Sequence, residues 1–185
     1  MHKVLVHFAD GFEEIEALTP VDVLRRAGCI VTMVSVTGRK EVSSTRGVTI
    51  ITDKLFEEVD YAAADMIVLP GGQPGADNLD KHEGLRKKIL EFDVQGKWLA
   101  AICAAPLVLG NLGILNGKKA TCYPGTESYM AGATCTSHPV QVDGKIITGK
   151  GPGAALSFSL ELVNRLIGLQ KVEELRAKMM IEDMS

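Results

Sequence analysis

The sequence predicts an α/β fold, a doubly wound sandwich with a mostly parallel central sheet. Short β-branched or apolar runs alternate with amphipathic stretches of about 12 to 15 residues, which is the signature of strands joined by crossover helices. The turns rich in glycine and proline fall directly after those strands, where ligands bind in such sheets. At 185 residues, and without an internal repeat, low-complexity run or linker, the chain reads as a single domain spanning 1–185.

The elements follow in order. "KVLVHFA" (3–9) is a β-branched strand, and "EEIEALTPVDVLRRAG" (13–28) has helical apolar spacing closed by glycine. "IVTMVSV" (30–36) is the second strand, followed by an excursion of short strands around 41–44 and 47–51. "MIVLPGG" (66–72) is a buried strand running into a glycine turn, and "HEGLRKKILEFDVQG" (82–96) an amphipathic helix. "WLAAI" (98–102) is the next strand, and "APLVLGNLG" (105–113) opens the next helix. "KIITGKGPG" (145–153) is a strand and turn, while 154–168 and 172–180 are helices. Four turns, "ADGFEE", "PGG", "CAAP" and "GKGPG", therefore converge on one edge of the sheet.

Composition narrows the function. The chain is 46% hydrophobic and 23% charged, with a formal net charge of −3. Its Lys and Arg residues are scattered, which argues against nucleic acid or an anionic membrane surface as a partner. The N-terminal stretch lacks the long apolar core of a signal peptide, and no apolar run reaches the roughly 18 residues of a membrane span, so a cytoplasmic location is expected. Cys29, Cys103, Cys122 and Cys135 show no metal-ligand spacing and are expected to be free thiols. No metal or organic cofactor is expected.

Cys103 lies between a strand and a helix with small residues on both sides, the setting of a nucleophile elbow. A helix N-terminus there would favour the thiolate, and the Ala104 and Gly72 N–H groups are candidates for an oxyanion hole. On position alone, a small buried hydrophobe remains the competing account of Cys103. Glu16 heads an apolar helix face with Pro20, Val23 and Ala27, so burial should raise its pKa and let it donate or exchange a proton. A solvated glutamate in the acidic first turn is the alternative. None of His2, His7, His82 and His138 reads as a catalytic partner, and "GGQPGADNL" lacks the P-loop lysine.

Together "DGFEEIEALTPVDVLRRAG", "VLPGG", "AAICAAP" and "GKGPG" resemble the ThiJ/PfpI family, in particular its DJ-type branch, over nearly the whole chain. The resemblance implies a flavodoxin-like, class I glutamine amidotransferase-like sandwich, usually homodimeric, with a reactive Cys103 hydrogen-bonded to a protonated Glu16. It further implies backbone donors at Gly72 and Ala104, a site lined by Gly71, Tyr123 and Pro152, and a dimer contact or site rim near Asp22, Arg26 and Arg46. The implied activities are glyoxalase or deglycase chemistry on small reactive carbonyls, or an oxidation-sensing or chaperone role switched at Cys103. Tyr123 in "TCYPG" stands where the branch often carries histidine, and a phenol is a poor base near neutral pH. Ala104 stands where the protease-like branch has histidine, which speaks against a peptidase.

Overall fold

A computed structural model describes residues 1–181. Its central sheet has seven strands: β1 (Lys3–Phe8), β2 (Ile30–Ser35), β5 (Lys54–Leu55), β6 (Met66–Leu69), β7 (Trp98–Ile102), β10 (Val140–Asp143) and β11 (Ile146–Gly149). They run in the order β10-β11-β7-β6-β1-β2-β5, all parallel except the β10–β11 pair. Two short ribbons stand apart, β3 (Glu41–Ser43) with β4 (Thr49–Ile51), and β8 (Lys119–Ala120) with β9 (Thr134–Cys135). The described residues also form six α-helices: α1 (Glu14–Arg26), α2 (Gly75–Lys81), α3 (Glu83–Val94), α4 (Pro106–Asn111), α5 (Ala155–Leu166) and α6 (Leu169–Lys178). α1 packs against α5, α6 beside α5, and α2 against both α3 and α4. Among the described residues, no helix is long and apolar enough to cross a membrane.

The central strands are continuous apolar runs because helices cover the sheet and leave no polar face. Every residue of β6 is buried, as is β7 after Trp98, as expected of parallel strands. β1 pairs with β2 on one side and β6 on the other, so the chain reverses its winding direction there. Such a switch point opens a crevice beyond the strand C-termini. β10 and α2 are absent from the periodicity reading. The first is a half-buried "VQVD" edge, and the second a seven-residue helix in a glycine-rich stretch.

His7 is the main polar intrusion in this core. It is fully buried on β1, with Nε2 2.8 Å from the Tyr61 hydroxyl and Nδ1 without a partner among the described residues. Burial, with a smaller contribution from His82, lowers its pKa from 6.5 to about 3. The unfolded chain therefore takes up a proton below pH 6.5 that the folded chain refuses until about pH 3. Stability from His7 is present above 6.5 and is lost as pH falls, at about 1.4 kcal/mol per pH unit. His7→Leu should be less stable at pH 7, because it strands the Tyr61 hydroxyl, yet lose less on acidification. Urea unfolding at pH 7 and pH 4 measures this difference, and equal pH slopes in the two proteins would refute it.

Candidate active site

Parallel strands bring their C-terminal ends to one edge, and the residues just beyond them form the site. Cys103 directly follows β7 and adopts a left-handed backbone, φ 65°, which a residue with a Cβ occupies only at a cost. Hydrogen bonds hold it on both sides: its N–H donates to Gly149 O at 2.8 Å, and its carbonyl accepts from the Tyr123 N–H at 2.8 Å. The sharp turn lifts the side chain above the sheet edge while Ala105 N–H returns to Ile102 O at 3.1 Å. Cys103 is buried, only 8% exposed.

Glu16 reaches this thiol from α1. Its N–H is capped by the Glu13 carboxylate at 2.8 Å, which fixes the first helical turn. Four residues later Pro20 has no N–H to offer the Glu16 carbonyl, although the helix continues to Arg26. The Glu16 side chain is fully buried; Oε2 accepts the Gly71 N–H at 3.0 Å, and Oε1 has no partner among the described residues. Burial raises its pKa from 4.5 to about 7, opposed by its contact with Cys103 and by the Gly71 N–H. The carboxyl thus titrates near neutrality.

Burial also pushes the Cys103 thiol up, and the neighbouring Glu16 pushes it further, while the Ala104 and Gly72 N–H groups pull it down. The backbone donors favour the thiolate, as the sequence reading expects, but desolvation and Glu16 outweigh them. α4 is a single six-residue segment starting at Pro106, three residues beyond the thiol. Cys103 and Glu16 instead compete for one negative charge, so a thiolate requires Glu16 to hold the proton.

Gly71 is the spacer that lets these groups meet. A Cβ there would lie 2.5 Å from Glu16 Oε2, 2.7 Å from Cys103 Cβ and 2.9 Å from Ile102 O. Gly71→Ala should therefore spread the pair apart and cost about 1–3 kcal/mol of stability. Chemical denaturation together with the rate of Cys103 alkylation reads both effects. An alanine variant with unchanged stability and alkylation would show that the spacing is not critical.

The remaining predicted positions divide. Gly72 and Ala104 act on the Cys103 sulfur through their backbones. Tyr123 is tied to Cys103 by main chain, but among the described residues its phenol bonds neither Cys103 nor Glu16. Its ring lies beside Gly151, and Pro152 opens the short turn Pro152–Ala154 next to it. Asp22 and Arg26 form an exposed ion pair at 2.7 Å on α1, and the Arg46 N–H donates to Glu14 Oε1 at 3.1 Å in the β3–β4 turn. Within one chain these three do not join the thiol. Cys29 and Cys122 are buried, Cys135 is exposed, and all four cysteines are free. Lys150, inside "GKGPG", lines a groove with Tyr123. A turn-based reading of that stretch passes over it, although a cation amid glycines after a strand was the available signal. Among the described residues no cluster of three or more His, Cys, Asp or Glu side chains is arranged to hold a metal.

Comparison with known proteins places this arrangement in context. The model of the DJ-1/PfpI family matches residues 2–165. Protein DJ-1 homolog B of Arabidopsis thaliana is 42% identical over 174 residues, covering 93% of this chain and 40% of that protein. The chain thus spans less than half the length of that relative, and likewise of Arabidopsis DJ-1 homolog A, of which it covers 46%. A Pyrococcus abyssi protein named a deglycase is 34% identical over 168 residues, covering 89% of this chain and 99% of its own. The solved structure of Toxoplasma gondii DJ-1, oxidized, superposes with a TM-score of 0.93 at 37% identity, covering 97% of this chain and 98% of that one.

Proposed function

The chain belongs to the DJ-1/PfpI family, and we propose that it is a cysteine-dependent enzyme converting small 2-oxoaldehydes, such as methylglyoxal, to 2-hydroxy acids. The observation that carries this reading is a thiol on a left-handed elbow with a fully buried carboxyl, of pKa about 7, against it. A general acid–base group works best when its pKa lies near the working pH. The deglycase name of the archaeal relative supports the same class of reactive carbonyl substrate.

In this scheme the Cys103 proton passes to Glu16 as sulfur attacks the aldehyde carbon. The C–S bond forms, and the carbonyl electron pair moves to oxygen, where the Gly72 and Ala104 N–H groups receive it. Glu16 returns its proton to that oxygen, giving a hemithioacetal. The carboxylate then takes the proton from the former aldehyde carbon, leaving an enediolate, and delivers it to the adjacent carbon, while the hemithioacetal hydroxyl proton passes to the former ketone oxygen. The product is a 2-hydroxy thioester, which water cleaves to the 2-hydroxy acid and free Cys103. Purified protein given methylglyoxal should release lactate, and none at any pH from 6 to 9 would reject the proposal.

A second reading is an oxidation sensor, favoured by the Toxoplasma relative having been solved oxidized. Here the Cys103 thiolate is oxidised by two molecules of peroxide to a sulfinate, with release of two waters, and protonated Glu16 donates to a sulfinate oxygen. Mass spectrometry after stoichiometric peroxide tests it; equal oxidation of all four cysteines counts against it.

We also propose a homodimer across the outer face of α1 and the β3–β4 hairpin. Ile15, Val48 and Ile51 are exposed there beside Asp22, Arg26 and Arg46, and the Ser44 hydroxyl and Arg46 N–H bind Glu14, holding hairpin and helix together. Sedimentation should show a dimer that Ile51→Lys converts to monomer, and a monomeric parent protein would rule it out.

A further inference from the structure

Glu13 joins the two halves of the site through its main chain. Its N–H donates to Gly71 O at 3.0 Å, and its carbonyl accepts the Ala17 N–H at 3.1 Å. Gly72, at φ 90°, lies so close that a Cβ there would come within 2.5 Å of the Glu13 nitrogen. The first turn of α1 is thereby held against the glycine turn after β6. From that turn the Gly71 N–H donates to Glu16 Oε2, and the Gly72 N–H acts on the Cys103 sulfur. The Glu13 side chain adds a second tie, its Oε2 accepting the Glu16 N–H at 2.8 Å.

The same side chain brings a negative charge to the start of the helix, where the macrodipole favours it. Burial is the main cause that raises the Glu16 pKa, and the Glu13 charge adds to it, because a like charge disfavours the ionised form. The leading influences on Cys103 are instead burial, Glu16, and the Ala104 and Gly72 N–H groups. Glu13 thus bears more on the carboxyl than on the sulfur. The other acids nearby are engaged elsewhere: Glu14 accepts the Ser44 hydroxyl and the Arg46 N–H, and Asp10 pairs with Arg39 at 2.6 Å. Among the described residues, no Lys, Arg or His nitrogen lies within 4.0 Å of the Glu13 or Glu16 carboxyl oxygens.

We infer that Glu13 is a positioning residue of this site: its carboxylate keeps the shared proton on Glu16, so that the negative charge is available to the Cys103 sulfur. The inference deepens the proposed chemistry at Cys103 and rests on that reading for turnover, whereas the thiolate itself can be read by alkylation. The fully protonated pair loses one proton. That leaves either a thiolate beside a carboxylic acid or a thiol beside a carboxylate, and the Glu13 charge raises the second arrangement relative to the first. Without that charge the pair ionises at lower pH, and more of the negative charge then rests on Glu16.

The test is the pH dependence of Cys103 alkylation by iodoacetamide, followed by mass spectrometry, in the parent and in Glu13→Gln. The glutamine keeps an oxygen for the Glu16 N–H and removes only the charge. At pH 5, where both proteins hold both protons, the two rates should coincide. The bend that marks ionisation of Glu16, near pH 7 in the parent, should move down by about 0.5 to 1 pH unit, and above it the rate should be about threefold to tenfold lower. Glu13→Ser, a neutral N-cap, should repeat this result, and Glu13→Asp, a charged one, should restore the parent profile. The kcat/KM of methylglyoxal conversion should bend at the same lowered pH. Neutral variants with the parent profile, or with a rate lowered equally at every pH and the bend unmoved, overturn the inference; the latter outcome reduces Glu13 to a helix cap. If no lactate forms, the proposed enzyme fails and the alkylation profiles still decide the role of Glu13.

Discussion

Cys103→Ser is expected to lower lactate formation from methylglyoxal by about 10³-fold or more. The substitution keeps size and shape at a site that is only 8% exposed, so the loss reports chemistry. A thiol, even one that burial pushes up, is a far stronger acid than an aliphatic hydroxyl, so a carboxyl titrating near 7 is a better partner for cysteine than for serine. The serine has the same elbow and the same backbone donors, yet no route to an anion. Enzymatic detection of lactate, with circular dichroism to show a native fold, makes the measurement. Activity within tenfold of the parent would move the nucleophile elsewhere and remove the basis of the proposed function.

Glu16→Gln should lose activity by a comparable factor and, above pH 7, gain stability. The amide can still accept the Gly71 N–H through its oxygen, but it cannot shuttle a proton. The stability effect follows from the raised pKa. Folded Glu16 holds its proton to about pH 7, whereas the unfolded chain releases it at about 4.5. Stability from this group is therefore complete below 4.5 and is lost as pH rises through 7, by about 3 kcal/mol. Glutamine does not ionise, so its stability is flat through that window, and its melting temperature should exceed that of the parent at pH 8. Oε1, buried without a partner, belongs to the same account, since the group is retained at a cost in stability for what it does. A Glu16→Gln protein that melts lower than the parent at pH 8, or keeps its activity, would contradict this assignment. His7 and Glu16 act in opposite directions, and their windows overlap between about pH 4.5 and 6.5, so the two contributions offset there and stability from this pair should fall off on either side.

The parallel core was legible because β6 and β7 are unbroken apolar runs and α1 and α5 carry helical spacing ended by turn residues. β8, β9 and β10 were not, because they are two to four residues long and partly buried or exposed, too short for a period to register. At the site, the position of Cys103 between strand and helix follows from residue types along one segment. The contact of Gly71 with both Glu16 and Cys103 joins segments 55 and 32 residues away and depends on how strands align. The same holds for thiol acidity. A local sequence reading sees the helix N-terminus, but the desolvation and the Glu16 charge that outweigh it come from α1. Lys150 shows the remaining kind of gap, since its place in the groove beside Tyr123 is visible only once the strands are aligned.

The two ends of the sheet bear on how the protein behaves at high concentration. One border is β5, a strand of only two residues, Lys54 and Leu55, and the other is β10, which runs against its neighbour and follows directly on Pro139. Short borders, lysine and proline all discourage a second chain from adding its backbone to the ladder. Copies of this protein should therefore not polymerise edge to edge, and the sheet should stay a closed unit in any assembly. Self-association is left to side-chain surfaces, so aggregation during storage should follow loss of the native fold rather than precede it.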